Sequence, residues 1–189
     1  MAIKDIFGGI TFGGILGGWQ PILKPASGLP QALASGWTEA FDGYVGLDGN
    51  PVYILSQQLV NGINYAVIAD ATLTTNPPVK KTVIVIINVP FAPVMDGKGA
   101  KIVRIIDADN PEVPEDLLVL FKKATAELLG VAHKPIAFIS SQIVNGIVFG
   151  FICQSTPIRP NAVPYATYAK LWLKTDGSTE ITFERIPKR

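Results

Sequence analysis

One eight-residue stretch occurs twice, and any fold for this chain must accommodate both copies. Residues 56–63 read SQQLVNGI and residues 140–147 read SSQIVNGI, 84 positions later. In each, β-forming residues lead into Val-Asn-Gly-Ile. Asn-Gly between apolar flanks is the strongest short-range signal for a two-residue hairpin, because a type I′ turn needs φ > 0 at both central residues. Each copy therefore predicts a hairpin tip. The match extends in both directions without gaps: Pro30 falls on Pro114, Leu33 on Leu117, Trp37 on Phe121, Ala40 on Ala124, Gly46 on Gly130, Pro51 on Pro135, Tyr65 on Phe149 and Thr72 on Thr156. A unit of about 80 residues used twice suits two small domains rather than a solenoid, whose repeats are shorter.

Taken in order, residues 1–18 form a glycine-rich arm, with pairs at Gly8-Gly9, Gly13-Gly14 and Gly17-Gly18 between Ile, Phe and Leu. Glycine loses the most backbone entropy on ordering, so such an arm needs a partner surface to hold it. Pro30 then opens a first helix, whose face is Leu33, Trp37, Ala40 and Tyr44, and Gly43 and Gly46 end it. After the turn-like Asp48-Gly49-Asn50-Pro51, strands run to Val60 and from Ile63 to Thr72. A Pro-rich turn at Asn76-Pro77-Pro78 leads to residues 82–89, TVIVIINV. Both alternating sets there are apolar, which predicts a strand covered on both faces. One cover is the helix, and the other a second domain or a partner.

A strand over 101–106 precedes the acidic, proline-punctuated residues 107–114, the expected boundary between a first domain at 19–107 and a second at 108–189. The second helix is expected over 114–129, facing inward with Leu117, Phe121, Ala124 and Leu128 and stopped by Gly130. Glu115 and Asp116 suit the positive end of its dipole. Strands follow over 136–144, 147–156, 165–174 and 180–186. Ala169, Leu171 and Leu173 alternate with Lys170, Trp172 and Lys174, so the outer face here is wet. Each half thus reads as a helix and an antiparallel meander of four, or five, strands, an α+β plan.

Charged residues make up 16% of the chain, against about 25% in typical soluble domains, which predicts extensive burial between domains or subunits and a homo-oligomer. Net charge is +1 without a basic block, so nothing points to nucleic acid. The single cysteine, Cys153, excludes an internal disulfide. Six glycines within residues 6–23 disfavour a membrane helix, and no small-residue cleavage site marks a signal peptide. The default location is intracellular or virion-associated.

A helix with such a meander, carrying Gln-x-Val-x-Gly at its first hairpin, resembles the cystatin family of cysteine-protease inhibitors. Gln58-Leu59-Val60-Asn61-Gly62 and Gln142-Ile143-Val144-Asn145-Gly146 both fit that motif, and Ile63-Asn64-Tyr65 is similar to its usual continuation. The resemblance implies two tandem cystatin-like domains, over roughly residues 19–186. It also implies that the two tips, with Gly17, Gly18 and Trp19 as arm contacts, would enter a papain-like active-site cleft. The family's second-hairpin Pro-Trp has no match at residues 76–79 or 161–165.

Asn-Gly turn chemistry accounts for Asn61, Gly62, Asn145 and Gly146 but does not require Gln58 or Gln142. His133, the only histidine, falls in an expected loop and reads as a surface residue; Cys153 reads as a small buried side chain. Asp107 and Asp109 read as solvated linker charge. The glycine pairs lack any phosphate-loop spacing. No cofactor, metal or catalytic residue is indicated. The expectation is a non-enzymatic protein that binds through its tips, either a papain-like cysteine protease or, as the alternative, copies of itself in a virion or other assembly that also uses the arm.

Overall fold

The computed structural model describes residues 18–91 and 97–187. The chain divides between Asp107 and Ala108 into two compact units. In the first, β1 (Gln20–Pro25) is followed by α1 (Gln31–Asp42), β2 (Leu47–Val60), β3 (Gly62–Leu73), β4 (Val79–Val89) and β5 (Lys101–Ile106). In the second, α2 (Glu115–Thr125) precedes β6 (Val131–Ile143), β7 (Gly146–Pro157), β8 (Tyr165–Lys174) and β9 (Thr179–Arg185). The strands form a five-stranded antiparallel sheet in the order β1-β2-β3-β4-β5 and a four-stranded one in the order β6-β7-β8-β9.

This corrects the expected pair of cystatin-like, helix-on-sheet domains. Of the described residues 55% are in strands and 16% in helices, so the molecule is a protein of two antiparallel sheets, α+β only loosely. Two local causes shift the balance. Gly43 caps α1, leaving Tyr44 outside it and exposed. Likewise α2 stops at Thr125, whose hydroxyl turns back to the Phe121 carbonyl at 2.9 Å, and Leu128 is exposed beyond it. Meanwhile the strands absorb what read as turns. Residues 48–51 lie inside β2 and His133-Lys134-Pro135 inside β6, where Pro51 and Pro135 stand at β-bulges that need no ladder N–H.

The first core gathers Leu33, Trp37 and Ala40 of α1 against Tyr65, Val67 and Ala69 of β3 and Val83, Val85 and Ile87 of β4. Trp37 Nε1 donates to the Gly49 carbonyl at 2.9 Å, tying the helix to the start of β2. On the opposite face of the same strands, Ala66, Ile68, Ile84 and Ile86 are also buried, which explains the unbroken apolar run of β4. The second core repeats the plan with Leu117 and Phe121 against Phe149, Phe151, Cys153, Ala169, Leu171 and Leu173. Phe121 meets Phe151 edge-on at a centroid distance of 5.3 Å. In β8 only part of the outer face is wet: Lys170 is exposed, but Tyr168 is buried.

Candidate protein-binding tips

Both repeated stretches end at hairpins. In the first, Leu59↔Ile63 and Val60↔Gly62 pair and Asn61 stands at the apex; in the second the register ends at Ile143↔Ile147, leaving Val144-Asn145-Gly146, so neither is the expected two-residue turn. Gly62 and Gly146 lie at φ +108° and +118°, a backbone conformation that favours glycine. Asn145 lies at φ +36°, whereas Asn61 is not left-handed. A Cβ on Gly62 would run into the Val89 carbonyl oxygen and Pro90, and one on Gly146 into the Leu173 carbonyl oxygen and Lys174. Both glycines are therefore demanded by the neighbouring strand.

The exposed apolar side chains come just before the turn. Leu59 is 56% exposed and Val60 43%; Ile143 is 76% exposed and Val144 40%. Phe91, just beyond the strand beside Gly62, is exposed as well.

The flanks differ. Beside the first tip, Asn64 Nδ2 donates to Gln58 Oε1 at 3.3 Å and Asn88 Nδ2 donates to Asn64 Oδ1 at 2.8 Å, an amide ladder across β2, β3 and β4. Gln58 thus has a structural task that turn chemistry alone does not reveal. At the same places of the second unit stand Gln142, Val148 and Trp172, aligned in register. Gln142 is exposed, and the Lys174 ammonium lies 4.9 Å from the centroid of the Trp172 ring. Trp172 Nε1 is buried without a hydrogen-bond partner.

Nothing along the chain marks Trp172 as a tip residue. Residues 76–79 and 161–165, the expected places of a second-hairpin aromatic, adjoin the far ends of the sheets, where Leu73 pairs with Val79 and Ser155 with Tyr165. Strand register supplies the missing signal, since Gly146 pairs with Lys174. Gly17 lies outside the described residues; Gly18 and Trp19 are half-buried and lead into β1.

His133 is not the expected loop residue. It lies in β6, half-buried, with its ring stacked on Phe183 at a centroid distance of 3.6 Å. Its Nδ1 is 2.7 Å from Ser155 Oγ, which is 2.7 Å from Thr167 Oγ1. Ser155 and Thr167 are buried, so this chain of hydroxyls braces the strands and offers no exposed nucleophile. Burial lowers the His133 pKa and pushes the Cys153 thiol far up, which keeps that sulfur protonated and unreactive. Asp107 pairs with Lys81 at 3.2 Å rather than standing solvated. Among the described residues no cluster of three or more His, Cys, Asp or Glu could hold a metal ion, and no helix is long and apolar enough to cross a membrane.

No family model, no curated protein and no solved structure matches this chain.

Proposed function

We propose that the protein works by binding other proteins through its two hairpin tips, without chemistry of its own. The observation that carries this reading is the retention, in both copies, of an exposed apolar pair directly before a glycine-fixed turn: Leu59-Val60 and Ile143-Val144. Folding does not account for leaving these four side chains in water. Burying their exposed remainder in a groove contributes on the order of 1 kcal/mol each. A tip held by the adjacent strand also loses little entropy on docking. The partner class implied by Gln-x-Val-x-Gly is a papain-like cysteine protease, whose cleft would receive the tips.

The test is inhibition of a papain-like protease by the intact chain and by the Val60→Glu, Val144→Glu double variant. Val60 and Val144 are clean probes, whereas Gly62 and Gly146 are not, because their replacement would disturb the sheet. The reading expects inhibition by the wild-type chain and a loss of at least tenfold in the variant. No inhibition, or equal inhibition by both, would overturn it.

A second reading, a subunit that assembles with copies of itself, is favoured by another repeated exposure. Val45 is 96% exposed and its repeat counterpart Leu129 93%, each directly before the positive-φ glycine that follows its helix. These residues pack in neither core, and a neighbouring subunit would cover them.

A further inference from the structure

At the end of each sheet away from its tip, the repeat keeps a second exposed apolar group. A backbone clasp builds the place in the same way in both units: Thr74 N donates to the Gly46 carbonyl at 3.0 Å, and Ile158 N to the Gly130 carbonyl at 2.9 Å. Each clasp holds the loop that follows the helix beside the turn from β3 to β4, or from β7 to β8. Both segments put apolar side chains into water. In the first unit these are Tyr44, Val45 and Val79, and in the second Leu128, Leu129, Ile158 and Val163. Adding 84 carries Tyr44 onto Leu128, Val45 onto Leu129, Thr74 onto Ile158 and Val79 onto Val163. Ile158 is 70% exposed and Val163 71%, so they serve a core no more than Val45 and Leu129 do. Single exposed apolar residues are ordinary, but a cluster that recurs at equivalent places marks a contact surface.

The charges beside the two clusters differ in sign. The last turn of α2 carries Lys122 and Lys123, and Arg159 directly follows Ile158, with Glu127 as the opposing charge. At the places of these three bases the first unit has Thr38, Glu39 and Thr75. It adds Asp42 at the end of α1 and Asp48 at the start of β2, where the second unit has Ala126 and Ala132, with Lys80 as the opposing charge. All of these charged residues are exposed. One end is therefore apolar and acidic, the other apolar and basic.

We propose that these two ends are the two halves of one interface between copies of the chain: the basic end of the second unit docks on the acidic end of the first unit of another copy. Val45 and Leu129, each almost wholly in water, supply the apolar centre, and the charges form a rim that orients the contact. Pairing like ends would set bases against bases or acids against acids, which disfavours an isologous dimer. Each chain then carries one half of the contact on each unit, the condition for head-to-tail assembly into rings or filaments. A few loop side chains make a small interface, so association should be weak at any one contact and grow with concentration. A lipid surface would also take exposed leucines, but the acidic end does not suit an anionic bilayer. This inference gives the assembly reading a site and rests on it, and it does not involve the tips.

The experiment measures solution mass by light scattering over a range of concentrations for the full chain, for Val45→Asp, for Leu129→Asp and for an equimolar mixture of these two variants. Val60→Glu, Val144→Glu serves as the control for the tips, and pelleting with phosphatidylserine–phosphatidylcholine vesicles tests the lipid alternative. The full chain and the tip control should gain mass with concentration. Each single variant should be a monomer with unchanged circular dichroism, because the replaced side chain stands in water. The mixture should form dimers and nothing larger, since one variant keeps the basic end intact and the other the acidic end. A monomeric full chain overturns both this inference and the assembly reading. Assembly that survives both substitutions overturns the inference alone and leaves the reading standing. A mixture that stays monomeric while the full chain assembles overturns the head-to-tail arrangement. Vesicle binding by a monomeric full chain that Leu129→Asp abolishes would assign this end to lipid instead.

Discussion

Ser56 and Ser140 occupy the same place in the two copies, both buried, yet their surroundings have diverged. Ser140 Oγ is 3.1 Å from the Tyr168 hydroxyl, whereas the counterpart of Tyr168 is Ile84, and Ser56 Oγ has no hydrogen-bond partner. The same pattern recurs across the molecule. His133, Ser155 and Thr167 form a polar chain in the second unit, and their counterparts are Gly49, Ala71 and Val83. The amide ladder of Gln58, Asn64 and Asn88 has Gln142, Val148 and Trp172 as its counterparts in the repeat. The order of the strands after each helix and the exposed apolar pair at each tip are shared, while the interior polar contacts are not. The two units solve one folding problem with different interior chemistry.

The largest expected effects lie where the units agree. Trp37→Ala and Phe121→Ala each remove the main aromatic that a helix contributes to its core, and each should cost roughly 3–5 kcal/mol. Hydrogen exchange resolved by unit should place each loss in the unit that carries the substitution. Equal loss of protection in both units would break the comparison.

Opposite signs are expected at the serines. Ser140→Ala leaves the buried Tyr168 hydroxyl without its partner and should cost about 1–2 kcal/mol, whereas Ser56→Ala removes an unpaired buried hydroxyl and should be neutral or stabilising by about 1 kcal/mol. Urea unfolding of both variants checks the difference in sign.

The smallest effect is a pH dependence confined to the second unit. Burial holds the folded His133 pKa below the ordinary 6.5. On acidification the unfolded chain therefore takes up the proton first. Stability from this group is full above about 6.5 and is lost as pH falls from there through the folded value. Thermal melts between pH 8 and pH 5 should show a shallower acid loss in His133→Gln, and identical slopes would contradict the assignment.

Legibility followed how local each signal was. Asn-Gly marked both tips, and strict alternation placed β8 at Tyr165–Lys174. The apolar run around Val83–Ile87 correctly announced burial on both faces. Gly43 does end α1, but Tyr44 and Leu128, which fit the apolar spacing, lie beyond helices that stop at Asp42 and Thr125. Strand β1 carries no periodic signal, because Pro21, Lys24 and Pro25 interrupt apolar alternation, although an edge strand tolerates such residues. At the tips the motif residues could be read directly, but Trp172 and the Asn64–Asn88 contact depend on cross-strand register that spacing along one strand does not reveal.

The central claim, that both tips are working surfaces, is tested most directly by calorimetric titration of the intact chain into an active-site-blocked papain-like protease, alongside each single tip variant. The account predicts two binding sites per chain, reduced to one by Val60→Glu and to one by Val144→Glu, with the surviving site's affinity unchanged. A stoichiometry that neither substitution alters, or the absence of any binding heat, would contradict it.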